Sequence, residues 1–514
     1  MASRRDELNA YTFAKKRTVA SFLQPSPSGS EEGAPRLLRG FLPGVVVGAL
    51  VLAGFGAWGM FKPQAPKGWD EPEKRVIVAS DSTTRYVVLR TGKGKKVQLH
   101  PVLNLASARL LLDPDQYAVV KVAEKELDNG SIPHGPTIGI PYAPDRLPGA
   151  EEAGRAKRWA VCERPGPGGE TERATLVLAD RDAGRTDDDD RLRGGEVMYV
   201  EDDEGAQYLV GADGTKYAIG EEDRGDQEAD ERRLLVRLLT SGEPQQVSDE
   251  WLGTLRDGSP LTFPEVEGTV GEPAGVAGLP EAADRIGTVL AASTGKGRQQ
   301  YLVEAGRVVP VSDFTAHLLL NSPQTAELAQ GGEARKVGAS SITDPAEARA
   351  DAAEDWPTRQ AVQANTASRG TVCSVLRTVH TGGGAKGGTT LSTWAGDDYP
   401  VPVPVGTTSA YVTPGSGVLF RQYQGTDTKT GGVFLVTDTG LRYAVQSNTD
   451  SGAAENAAQA GGEPSEEERA EVNTAQIRLG YESVEPVPVP AHWAQFLSKG
   501  PRLDTTGAKQ PQGS

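Results

Sequence analysis

The side chains that could do chemistry in this sequence are few. Two cysteines, Cys162 and Cys373, each lie among β-forming apolar residues, in Trp159-Ala-Val-Cys162 and Thr371-Val-Cys373-Ser-Val375. Two thiols are too few for a zinc site, which takes four Cys or His ligands at short spacing. In an oxidising compartment they read as one disulfide, and otherwise as two unrelated buried thiols. A bond closing a loop of about 210 residues would stabilise the fold by roughly 4–5 kcal/mol in the chain-entropy model.

The remaining catalytic vocabulary is thin. His100, His134, His317, His380 and His492 never fall in H-E-x-x-H spacing. No G-x-S-x-G elbow occurs, and no G-x-x-x-x-G-K-[ST] phosphate loop. Gly92-Lys-Gly94 and the Gly382–Gly388 stretch around Lys386 lack both the spacing and a strand feeding a helix. Ser293-Thr-Gly-Lys296 and Lys429-Thr-Gly431 resemble two penicillin-binding-protein motifs, but S-D-N is missing and the first motif leads into a strand. The expectation is therefore no catalytic residue, no cofactor and no metal. Acidic runs such as Glu201–Glu204 lack EF-hand spacing and read as solvated loops.

These few residues must be placed by other elements. Phe41–Phe61 is 21 residues without a charge, bounded by Arg39 and Lys62. At 1.5 Å per residue this is about 31 Å, the depth of a bilayer's hydrocarbon core. Trp58 and Trp69 suit interfacial anchors. Local Lys/Arg counts do not orient this helix. Ahead of it, Leu8, Tyr11, Val19, Phe22 and Leu23 fall on one face of a helix at 100° per residue, with Lys15 interrupting. Both a membrane-surface helix and a docking helix for a cytosolic partner fit that face. Residues 24–36, rich in Pro, Ser and Gly, read as a linker.

Beyond the apolar helix one pattern recurs four times: an aromatic and two aliphatics, a turn with Gly, then three residues ending in an aliphatic. The copies are Tyr86-Val-Val to Leu99, Tyr208-Leu-Val to Ile219, Tyr301-Leu-Val to Val311, and Phe434-Leu-Val to Val445. Each reads as a hairpin. Helix-like runs follow three of them, at Leu103–Leu112, Leu234–Leu239 and Phe314–Leu320, which makes each unit a small ββα element. Copy one, Cys162, copy two and Trp251 form a series that recurs as copy three, Cys373, copy four and Trp493, at offsets of 215, 211, 226 and 242 residues. Gly195–Tyr199 and Gly417–Phe420 echo each other ahead of copies two and four. The chain reads as two homologous halves whose central strands meet, with repeat units projecting outward. The cysteines occupy equivalent positions, so across a pseudo-two-fold axis they can come face to face.

The expected fold class is α+β and β-rich, one N-terminal transmembrane helix followed by an elongated pseudo-two-fold body. Its parts are a leader (1–40), the apolar helix (41–61), repeat domains at 75–150, 199–265, 285–350 and 430–505, and a central β-domain in two parts (151–198 and 355–425). Residues 180–193, 451–468 and a tail at 506–514 read as unstructured. Past residue 61, 47 basic residues face 66 acidic ones. So acidic a body excludes nucleic acid, which needs a basic footprint.

The run His100-Pro-Val-Leu-Asn-Leu-Ala-Ser-Ala-Arg-Leu110 after a Tyr-Val-Val hairpin resembles the EccB family of type VII (ESX) secretion systems. So do Tyr11-x-Phe13…Arg17 ahead of one apolar helix, Gly135–Pro141, Trp159-Ala-Val-Cys162 and Gly432–Tyr443, which together cover nearly the whole chain. The resemblance implies an inner-membrane protein with its N-terminus cytoplasmic and its large domain extracytoplasmic. It implies a central β-domain bearing four repeats, and EccC-, EccD- and EccE-type partners, with EccC the motor. It implies a homo-oligomer within a machine that exports small helical-hairpin proteins. The family has also been labelled an ATPase, for which this sequence offers no phosphate loop. Envelope binding, to peptidoglycan or another carbohydrate of the cell wall, is the alternative function that repeat arrays suggest.

Overall fold

The computed structural model describes residues 3–23, 37–60, 65–92, 96–220, 226–295, 297–342, 345–346, 355–366, 368–382, 387–403, 406, 408–445 and 474–512. The fold is α+β and β-rich, and its described strands form five small sheets.

Two helices lead the chain, α1 (Arg4–Leu23) and α2 (Leu37–Met60). The described side chains of α2 cover 41–56, all exposed. That stretch rises about 24 Å against a hydrocarbon core of about 30 Å. Among the described residues no helix is long and apolar enough to cross a membrane.

Sheet I takes β1 (Arg75–Ala79), β2 (Arg85–Thr91), β3 (Lys96–Pro101) and β4 (Ala118–Val122) in the order β3-β2-β1-β4. The first three strands are an antiparallel meander. Helix α3 (Leu105–Leu111) then returns the chain so that β4 lies parallel to β1. Asn104 starts that helix as its N-cap, accepting from the Ser107 amide at 2.9 Å. Two strands follow, β5 (Arg158–Pro165) and β6 (Thr171–Leu178), paired along their full length.

Sheet II comprises β7 (Glu196–Glu201), β8 (Gln207–Gly211), β9 (Thr215–Ala218), β10 (Gln245–Gln246) and β11 (Arg256–Asp257), in the order β10-β7-β8-β9-β11, and a sixth strand, β16 (Val362–Gln363), pairs parallel to β7 off this path. Sheet III, of β12 (Val289–Thr294), β13 (Gly297–Glu304), β14 (Arg307–Val311) and β15 (Arg335–Lys336), repeats the order of sheet I. A short β16 (Val362–Gln363) leads to β17 (Thr371–Thr381), β18 (Gly387–Gly396) and β19 (Thr408–Val412). Sheet V, of β20 (Gly417–Tyr423), β21 (Gly432–Thr437), β22 (Leu441–Ala444), β23 (Val487–Pro490) and β24 (Ser498–Lys499), repeats the order of sheet II. The tight β8–β9, β13–β14 and β21–β22 turns place Gly214, Gly306 and Gly440 at φ of 78°, 74° and 78°, where a Cβ would be strained. The turn glycine of the first copy, Gly94, lies outside the described residues.

Sheet IV joins the halves of the chain, in the order β18-β17-β5-β6-β19. One of its outer strands, β19, is exchanged between the halves. β19, from the second half, lies parallel to β6 of the first, and Arg191 of the first half bridges to Trp394 on β18.

Four expectations need correction. First, each unit is larger than ββα: a strand precedes every hairpin, and a parallel strand follows the helical return. Residues 196–198 and 417–423, assigned above to the central domain, therefore belong to sheets II and V. Second, the units do not simply project outward. Sheet I shares one core with sheet V, through Val76, Leu110 and Leu112 against Leu435, Tyr443, Leu479 and Tyr481. Phe314, Leu318 and Trp356 next to sheet III complete the core of sheet II with Tyr199 and Tyr217. A four-strand unit buries one face at most, so each is closed by a unit from the other half. Third, residues 266–284 belong to the third unit, since Val266, Ala274 and Ala283 enter its core. Fourth, the tail is ordered as far as Gln512, the last described residue. Asp504 caps Thr505–Ala508, Pro511 bridges to Ile138, and the Gln512 side chain donates to the Gly139 carbonyl at 2.9 Å. Polar composition hid it, because backbone and amide hydrogen bonds hold it to the first unit. The tract 451–468 lies outside the described residues.

Candidate functional site

The residues singled out in the sequence converge on the middle of sheet IV. β5 and β17 run antiparallel with Cys162 opposite Cys373, flanked by the pairs Val161–Ser374 and Glu163–Val372. The two cysteines form a disulfide, 211 residues apart in sequence. Alternation along the strands sends Cys162, Ala160, Leu176, Cys373, Val375 and Trp394 into a small core on one face. Trp159, Val161, Val372 and Leu376 point to the other face, into the largest core of the molecule. Trp251 and Trp493, the equivalent tryptophans of the two halves, are both fully buried there. The Trp251 indole donates to the Val161 carbonyl at 2.9 Å, so even its polar atom is spent on the sheet.

One residue beyond the disulfide, Glu163 is a carboxylate with no exposed surface. It accepts from Arg173 Nε at 2.6 Å, from the Ser248 amide at 2.8 Å and from Ser248 Oγ at 2.7 Å. Ser248 is the N-cap of Asp249–Leu252, the short helix that carries Trp251. Arg173 also lies over the Phe496 ring at 5.0 Å. Glu163, directly and through Arg173, thus ties sheet IV to the β10–β11 connection of sheet II and the β23–β24 connection of sheet V. The sequence pointed to the tryptophans but not to Glu163, whose partner Ser248 lies 85 positions away.

The acidic run Asp187–Asp190, inside the stretch 180–193 read above as unstructured, is an arginine-binding staple. Asp187 receives Arg158 from β5 at 2.6 Å, Arg377 from β17 at 2.6 Å and Arg191 at 3.1 Å. Asp188 accepts from the Trp394 indole at 2.7 Å. Hydrogen bonds from Arg377 first, and then from Arg158, hold the Asp187 carboxyl down to about 2, well below the usual carboxylate range. A folded value below the unfolded one means that the stabilisation is complete above about pH 4. It is lost as pH falls through the folded value. We expect Asp187→Asn to cost about 2–3 kcal/mol, from lost charge-assisted bonds. Denaturation at neutral pH checks this, and the variant's deficit should shrink between pH 4 and pH 2.

The other candidates are scattered. His100 is buried in β3 against the Pro136 carbonyl, His380 is exposed beside Thr390, and burial lowers the pKa of His317 and His492. Among the described residues no group of His, Cys, Asp and Glu is arranged to hold a metal. Asp202, in the second acidic run, is spent on its own turn, accepting from the Glu204 and Ala206 amides. Ser293 lies at the end of β12, and Lys429-Thr-Gly431 lies in the β20–β21 connection of another sheet; Lys296 is outside the described residues.

The leader residues lie on α1 with their side chains in the open: Leu8 is 66% exposed, Tyr11 70% and Phe22 87%, and Val19 and Leu23 are also exposed. Over its full length the helix barely separates apolar from polar residues. Arg4 and Lys15 fall within the apolar stripe and Phe13 lies off it, so the amphipathic face is weaker than the five residues alone suggest. Trp58 lies outside the described side chains, and Trp69 packs in the small core beneath sheet I.

These features define a β-rich, internally duplicated protein whose halves are sewn together at a cross-strand disulfide. The chain belongs to the EccB family: the model for "Type VII secretion system ESX-1, transport TM domain B" matches residues 1–513. It is similar to the ESX-1 secretion system ATPase EccB1 of Mycobacterium tuberculosis, 31% identical over 55% of this chain and 53% of that protein. It is also similar to the ESX-5 secretion system ATPase EccB5 of that organism, 27% identical over 62% of this chain and 59% of that protein. The alignments thus span little more than half the length of these curated relatives. In fold the chain resembles a subunit of an intact ESX-5 inner membrane complex, with TM-score 0.57, 20% identity and coverage of 100% of this chain and 96% of that one. It likewise resembles the EccB3 dimer from the ESX-3 core complex, with TM-score 0.54, 21% identity, and 85% of this chain covering 99% of that one.

Proposed function

We propose that this protein is a structural membrane subunit of a type VII secretion machine, supporting export of small helical-hairpin proteins across the inner membrane. The observation that carries this reading is the family match over 1–513, in which α1, α2 and the disulfide-joined body follow in order. In this reading α2 is the single membrane span. Its 24-residue backbone rises about 36 Å, enough to cross with some tilt, and its sequence carries one charge, Arg39, near its start. The disulfide supports an extracytoplasmic body and so a cytoplasmic leader. The body is then a pseudo-two-fold unit, with sheet IV as the central domain and sheets I, II, III and V as the four repeats. EccC-, EccD- and EccE-type subunits are its partners, a second copy of the chain its neighbour, and energy conversion belongs to the motor subunit.

The exposed α1 is the docking element for a partner on the cytosolic side. Deleting residues 1–23 should leave the outer body folded and membrane-anchored. Co-purification with the other membrane subunits should fall at least tenfold. Full assembly and secretion by the deletion strain would overturn the docking role.

A further inference from the structure

The chain enters the body at sheet I. Met60 ends α2 and Ala65 already packs in the first unit, so at most about 18 Å of extended chain separates the two. Ala65 and Trp69 share the small core beneath sheet I with Val88 and Val97. The Glu73 amide then donates to the Val88 carbonyl at 2.8 Å, and β1 begins beside the last residues of β2. The β2–β3 turn therefore lies at the end of sheet I where the chain arrives from α2.

That turn is cationic. Arg90 and Lys96 stand on the last two rungs of its ladder, opposite Val97 and Thr91, and both are exposed. Among the described residues no carboxylate pairs with either. The sequence between them, Gly92-Lys-Gly-Lys95, adds positive charge and no acid. Lys67, on the entry segment, is exposed as well. The carboxylates at this end stand farther back. Glu73 is level with Val88, two residues behind Arg90; Glu71 pairs with Lys74 at 2.7 Å, and Asp113 accepts from the Asp115 amide at 3.2 Å.

The other three units lack this charge in the matching turn. Ala212-Asp-Gly214 joins β8 to β9, Ala305-Gly306 joins β13 to β14, and Asp438-Thr-Gly440 joins β21 to β22. Cations beside two of these turns are matched, Lys216 by Asp257 at 3.0 Å and Arg307 by Glu304 at 2.6 Å. A body with 47 basic against 66 acidic residues past position 61 thus carries a basic turn on the unit tethered to α2. Exposed cations are drawn to an anionic bilayer surface within about 10 Å at 0.1 M salt, and added salt screens the attraction.

We propose that the β2–β3 turn rests on the membrane that α2 enters, with its cations against anionic lipid headgroups, giving the body a second point of attachment. This rests on the reading of α2 as the membrane span. The test uses the full-length protein in lipid nanodiscs, of phosphatidylcholine alone or with a third replaced by phosphatidylglycerol. A donor dye on Thr91→Cys reports energy transfer to headgroup-labelled lipid, the native cysteines being occupied in their disulfide. Transfer should be at least twofold stronger with phosphatidylglycerol. The excess should vanish at high salt, a comparison that needs no variant, and in the double variant Arg90→Gln, Lys96→Gln. A dye on Ala305→Cys, in the turn of sheet III, should show no such dependence on lipid. Equal transfer in both lipids, or an excess that survives high salt, would overturn the proposal while leaving the span in place. Transfer that follows the number of copies per disc, whatever the lipid, would put the turn on the acidic surface of a second copy and also overturn it. Failure of the protein to enter the discs at all would overturn the span reading and this proposal together.

Discussion

Replacing both cysteines by alanine should destabilise the β-rich body by about 5 kcal/mol. The bond closes a loop of 211 residues, and a loop of that length removes about this much conformational freedom from the unfolded chain. The effect should be mainly on the unfolded state. Sheet IV keeps its ladder, because β5 and β17 remain paired from Trp159–Leu376 to Glu163–Val372. The double variant is therefore expected to have a native-like circular dichroism spectrum and a markedly lower denaturant midpoint. Reducing the wild type should reproduce that midpoint without mutation. An unchanged midpoint in both would mean that the halves are held together by packing alone.

The second large effect is expected at Glu163. Glu163→Gln keeps the shape and removes the charge, leaving Arg173 beside Phe496 with only the exposed Glu250 carboxylate at 3.5 Å and replacing two good acceptor geometries at Ser248. Removing one partner of a buried ion pair costs about 3–5 kcal/mol. Because Ser248 caps the helix that carries Trp251, the loss should appear locally first. Amide hydrogen exchange should quicken in 248–255 before it quickens in β5. Replacing Glu163 and Arg173 together, by Gln and Met, should cost much less than the single change. A single-variant loss under 1 kcal/mol would remove the residue from this role.

Much of this was legible in the sequence, for identifiable reasons. Hairpins are local, so Tyr208-Leu-Val and its glycine turn announce themselves. The four offsets between matching markers put the cysteines in equivalent places, and the two-half reading followed. What stayed hidden depends on partners remote in sequence. Asp187 looked like one more solvated acid because nothing near it in the chain reveals Arg377, 190 positions on. The pairing of sheet I with sheet V, and of sheet II with the helix after sheet III, leaves no local pattern either. An apolar face shows only that something covers it. The strands opening sheets II and V were visible as echoes but were assigned to the wrong sheet, because alternation reports which face is buried and not which strand lies alongside.

In the proposed reading, two halves close around one disulfide on the outer side of the membrane. A non-reducing gel of the membrane-inserted full-length protein, with maleimide labelling of free thiols before and after reduction, tests that directly. No labelling of Cys162 or Cys373 is expected in the native protein, with full labelling of both after reduction and faster migration of the unreduced chain. Two labelled thiols in the native, unreduced protein would contradict both the compartment and the joining of the halves.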